Sequence, residues 1–179
     1  MVIRVMVVGL LMVAGAVVSK EPSHGTRTFT NEKVSEVVVN GFVTLKGSKV
    51  TKRLQVNGRV EAEGCSIARM EINGSADLSD CVIKGRGSVN GVLVANDSNF
   101  DDKLTVTSEK MTFNNCTLKA LYIPLMTGCK EPQIVELLGK TQVSGTITFA
   151  SGKGEVIAGP GSELNGAVIG GSVRKNLVE

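Results

Sequence analysis

Four cysteines, a single histidine and a set of closely spaced aspartates are the side chains of this sequence best suited to chemistry. The one histidine, His24, excludes a metal centre built from several imidazoles. It also leaves any Ser/His/Asp or Cys/His arrangement dependent on one residue near the N-terminus. Gly139-Lys140-Thr141 matches the end of a phosphate-binding loop, but that loop needs a glycine five residues earlier, where Ile134 stands. Lys153, in Ser151-Gly152-Lys153-Gly154, lacks the upstream glycine as well. Asp77, Asp80, Asp97, Asp101 and Asp102 have no Gly-Gly-x-Gly-x-Asp pattern around them, so they are expected as solvated corners and not as calcium ligands. No catalytic, cofactor-binding or metal-ligating residue is assigned, and neither cofactor nor nucleotide is expected.

The elements that must position these residues emerge from composition and periodicity. The chain has 179 residues, 42% hydrophobic and 21% charged, with 21 glycines, five Phe, one Tyr and no Trp. That composition suits one ordered domain and argues against an aromatic-rich ligand pocket. A formal net charge of +3 is too balanced to suggest nucleic acid as a partner. Residues 1–19 open with Arg4 and continue as an uncharged apolar run, Val5 to Val18. This is the length of an export signal and shorter than the roughly 20 residues a membrane span needs. The expected location is therefore outside the cytoplasm: periplasm, cell surface or medium.

A repeat dominates the remainder. Val39-Asn40-Gly41 recurs as Val56-Asn57-Gly58, Ile72-Asn73-Gly74 and Val89-Asn90-Gly91, then fades into Val106-Thr107-Ser108 and Ile123-Pro124. Its starting positions advance by 17, 16, 17, 17 and 17 residues. So short a period excludes helix-pair repeats and fits one coil of a β-solenoid. Apolar pairs separated by one residue recur at fixed offsets, as in Val43/Leu45, Val60/Ala62, Ala76/Leu78 and Leu93/Ala95, which is the signature of a strand with one buried face. The fold class is all-β: a single-stranded parallel β-helix of about 17 residues per coil, right-handed by the usual crossover rule, with three short strands per coil.

About seven coils would make a rod roughly 35 Å long. The expected organisation is a signal over 1–19, a polar leader or N-terminal cap over 20–36, and regular coils over 37–123. An irregular loop or short helix over 124–142 and glycine-rich coils with a tail over 143–179 would follow. Asn40, Gly41, Asn57, Gly58, Asn73, Gly74, Asn90 and Gly91 are expected at tight corners, both residue types tolerating positive φ.

One column holds only small residues: Ser48, Cys65, Cys81, Ser98 and Cys116. Cys65 and Cys81 occupy the same offset in adjacent coils, so their side chains run parallel. Stacked buried thiols are expected there, with a strained bridge as the alternative. Cys116 with Cys129 is the better candidate disulfide, because Cys129 falls in the irregular segment and can fold back.

The stacked short coils with Val-Asn-Gly corners, from Val37 to about Val173, resemble bactofilins, the polymer-forming cytoskeletal proteins of bacteria, and related exported Val-Asn-Gly-repeat proteins. The resemblance implies a right-handed β-helix that polymerises end to end without nucleotide, and it supplies no catalytic residues. The export signal departs from it, since bactofilins work on the cytoplasmic side. The expected function is thus non-enzymatic: an exported structural or interaction protein of the cell envelope that associates with itself or with an unknown envelope protein or glycan. The alternative is a secreted β-helix that binds polysaccharide or a surface in the manner of an adhesin. No carboxylate pair is marked out by its spacing, which argues against glycoside hydrolysis.

Overall fold

The computed structural model describes residues 23–128 and 131–175. The export signal expected over 1–19 lies outside them. Among the described residues there is no helix, and every strand belongs to one parallel sheet wound into about nine turns: a β-solenoid. In chain order the strands are β1 (Ser23–Thr30), β2 (Lys33–Lys46), β3 (Lys49–Glu63), β4 (Ser66–Ile67), β5 (Met70–Ser79), β6 (Val82–Ile83), β7 (Gly87–Asn96), β8 (Asn99–Thr107), β9 (Lys110–Asn114) and β10 (Thr117–Ile123). After an interruption come β11 (Ile134–Leu138), β12 (Gln142–Val143), β13 (Ile147–Phe149), β14 (Gly154–Ala158), β15 (Glu163–Leu164), β16 (Val168–Ile169) and β17 (Gly171–Lys175).

The core is built from inward-facing columns of apolar side chains, among them the three that follow. The first stacks Val37, Leu54, Met70, Gly87, Leu104, Leu121 and Ile147 through direct register pairs. The second stacks Leu45, Ala62, Leu78, Ala95, Phe113, Leu137 and Ala158. The third stacks Val50, Ile67, Ile83, Phe100, Leu118 and Val143. Most of these side chains are sealed from solvent, and burying each Val, Leu, Ile, Phe or Met among them contributes about 1.5–3 kcal/mol. Size is traded between neighbouring rungs. Gly87 leaves space that the Leu104 side chain fills, and Phe149 lies where a side chain on Gly154 would have to be.

Three features differ from the expectation. In β2 and β3 the strand runs round the Asn-Gly corner without a break, for 14 and 15 residues, so these coils do not divide into three short strands. Residues 23–30, expected within a polar leader or cap, form a rung of the stack in register with β2, Arg27 opposite Val43 and Phe29 opposite Leu45. Its side chains are mostly exposed, because what holds it is backbone pairing, which a polar sequence supplies as well as an apolar one. Within 124–142, Ile134–Leu138 is a strand between β9 and β14, with Val135 and Leu137 fully buried. The apolar alternation of Val135 and Leu137 meets the second column again after a nine-residue detour from Pro124 to Pro132. Both changes lengthen the rod from the expected seven coils to about nine turns, or roughly 40 Å at the usual strand spacing.

Candidate functional site

Each turn has three corners, and each corner stacks a different chemistry. At the first, Gly41, Gly58, Gly74 and Gly91 have φ between 135° and 145°. A Cβ on Gly58 would collide with the carbonyl oxygen of Gly41 in the rung below, and the same holds for Gly74 on Gly58 and Gly91 on Gly74. Glycine is thus required twice over, by φ and by close approach. The preceding asparagines do not adopt positive φ, contrary to expectation. They form an exposed amide ladder instead, Asn57 Nδ2 donating to Asn40 Oδ1 at 2.7 Å and Asn73 Nδ2 to Asn57 Oδ1 at 2.9 Å.

The left-handed residues sit at the second corner. Asn31, Gly47, Gly64, Asp80, Asp97, Asn115 and Gly139 all have φ between 49° and 62°, and most stand just before the small-residue column. Asp80 and Asp97 therefore have a conformational role there, since Asp and Asn tolerate this region better than other side chains.

The column that follows is a hydrogen-bonding device as well as a small one. Ser48, Cys65, Cys81, Ser98 and Cys116 each donate from Oγ or Sγ to the carbonyl two residues back, at 2.7–3.3 Å. Several of these atoms also accept a backbone N–H from the rung before: Ser48 N–H to Cys65 Sγ, Cys81 N–H to Ser98 Oγ, and Cys116 N–H to Thr141 Oγ1. Thr141 thus extends the ladder past the detour, a member that the sequence alone did not reveal.

Cys65, Cys81 and Cys116 are free, buried thiols. The hydrogen bond between Cys65 and Cys81 holds Cys65 below the usual thiol range, against the opposing effect of burial. The same contact and burial push Cys81 up, and burial pushes Cys116 up. Cys116 points into the core, its Sγ 3.3 Å from the Ala95 and Asn114 carbonyl oxygens. Its expected disulfide partner Cys129 lies outside the described residues.

At the third corner, between the Val50 and Leu54 columns, the outward residue of each rung is Arg53, Arg69, Arg86 or Lys103 in turn, as the pairing of Leu54, Met70, Gly87 and Leu104 requires. Arg53 is compensated, its guanidinium 2.6 Å from Glu36 and 3.9 Å from Glu71. The next two arginines are exposed and form no ion pair among the described residues. Beside them runs a groove of about 660 Å³ lined by Arg69, Arg86, Lys103, Glu71, Ser88 and Asp102. Composition hid this stripe, because acidic residues elsewhere balance it. Its signal was present in the spacing: Arg69, Arg86 and Lys103 advance by 17 and 17 residues, in phase with the repeat.

The two ends of the stack are open among the described residues. β1 pairs only with β2, and β15, β16 and β17 pair only with β12, β13 and β14. The last rung leaves Ile169 55% and Val173 46% exposed. No group of three or more His, Cys, Asp or Glu side chains that could hold a metal ion occurs among the described residues.

Corners, columns and ends together define the class of the protein: a parallel β-solenoid with an open rung at each end of the described stack. No family model, curated protein or solved structure matches the chain.

Proposed function

We propose that this chain is an exported, non-enzymatic structural or interaction protein of the bacterial cell envelope whose solenoids associate end to end, as its resemblance to bactofilins implies. The observation that carries this reading is the pair of open rungs. Among the described residues each presents a row of backbone donors and acceptors with no strand beyond it, which template the addition of another parallel strand. One copy's β15–β17 rung set on another's β1 rung continues the stack, and a head-to-tail contact that repeats without closing yields a filament. Val173, which continues the inward column of Val135 and Val156, then loses its exposure to water, adding apolar burial to the new hydrogen bonds.

The test is light scattering with negative-stain electron microscopy on residues 20–179, across salt and protein concentration. Filaments or concentration-dependent growth are expected. A particle that stays monomeric at every concentration overturns the proposal.

A further inference from the structure

We propose that the third corner is a binding groove for an acidic polysaccharide, with Arg69, Arg86 and Lys103 as its anion contacts. This does not depend on what the ends of the stack do. Register places the three cations on consecutive rungs, about 4.8 Å apart, one above another. Like charges on neighbouring rungs repel. One rung earlier the same column resolves that repulsion by flanking Arg53 with Glu36 and Glu71. From Arg69 to Arg86 the compensation stops, and there the groove opens.

Its depth comes from small residues. Ala68, Gly85 and Gly87 line it, and a Cβ on Gly85 would come within 2.6 Å of the Ala68 carbonyl oxygen. Two guanidinium forks and an ammonium above such a floor match a row of carboxylates or sulfates, which arginine grips in bidentate fashion. The rung spacing is close to the length of one pyranose unit, so the cations are spaced on the same scale as the anionic groups of such a chain.

The remaining lining selects the class of polyanion. Glu71 and Asp102 add acceptors, and Ser88 and Thr105 hydroxyls, among the cations. Sugar hydroxyls donate to such acceptors, whereas a deoxyribose phosphodiester backbone has no free hydroxyl to offer them. Base stacking has no platform either: the nearby ring of Tyr122 is covered by the Lys103 ammonium at 4.4 Å from its centroid.

The full-length protein, at a concentration where scattering shows single particles, is titrated with polygalacturonate, with neutral dextran of similar length and with single-stranded oligothymidylate. Polygalacturonate is expected to bind, more weakly as salt rises. The double variant Arg69→Ala/Arg86→Ala should weaken it tenfold or more, while Lys153→Ala, at a different corner, should change it less than twofold. Arg86→Lys keeps the charge without the fork and should lose a smaller part, two- to fivefold. Circular dichroism confirms that each variant is folded, and the single lysine variant decides the matter if the double one is not. No binding of polygalacturonate, equal binding of dextran or oligothymidylate, or an equal loss in Lys153→Ala overturns the proposal.

Discussion

The corner glycines and the small-residue column show how single atoms set the rung geometry. Since a Cβ on Gly58 meets the Gly41 carbonyl at φ 144°, Gly58→Ala is expected to destabilise the protein by about 2–3 kcal/mol or more, from backbone strain plus overpacking. Urea unfolding of the variant against wild type checks it, and a change under 0.5 kcal/mol would contradict the steric argument. The thiols add a pH dependence whose sign follows from their shifts. Cys81 and Cys116 are held above the ordinary thiol value of 9.0, so the folded state retains protons that the unfolded state releases. Their stabilisation is complete below about pH 9 and declines above it, at up to about 1.4 kcal/mol per pH unit for each thiol. Cys65, shifted the other way, acts with the opposite sign at lower pH. Urea midpoints should fall between pH 9 and 10.5, and Cys116→Ser should flatten that fall.

At the scale of elements, the second column makes β11 part of the core. Leu137→Ala should therefore cost about 2–5 kcal/mol as a buried truncation. Leu125→Ala, in the detour and 64% exposed, should stay within about 0.5 kcal/mol. Equal effects would place Ile134–Leu138 outside the packed stack. The detour is sealed by Gln133, whose Nε2 donates to the Ser108 and Pro124 carbonyls at 3.2 and 3.0 Å. This explains why the strand was illegible in the sequence. The repeat keeps a period of 16–17 residues up to Ile123, and from Phe113 to Leu137 the second column advances 24 residues. Val-Asn-Gly rungs were legible because an apolar pair and a glycine corner recur together. β1 was not, because a rung held by its backbone leaves no apolar pattern to read. The cation column is hidden for a different reason, since the apolar period marks the inward residues while the residue just before each one carries the charge.

For the molecule as a whole, the ends decide whether the rod stays single. If the last rung is an addition site, Val173→Asp sets a desolvated charge into the new contact. Filament growth should then be abolished while the melting temperature of the isolated rod barely moves, Val173 being 46% exposed already. Scattering and thermal unfolding on the same sample separate the two effects. Variants of the cation groove should leave growth unchanged, because the groove lies on the flank.

The short rung length also sets how the chain finds this shape. Most all-β folds pair strands distant in sequence and fold slowly for that reason. Here the pairings join residues only 16–26 apart, about 17 through most of the stack and 21–26 around and after the detour, so each new rung closes a short loop at a similar entropic cost. A parallel sheet assembled this way grows from its own edge, one turn after another, and a ribosome releasing about 5–20 residues per second supplies roughly one turn every one to three seconds to the turn already formed.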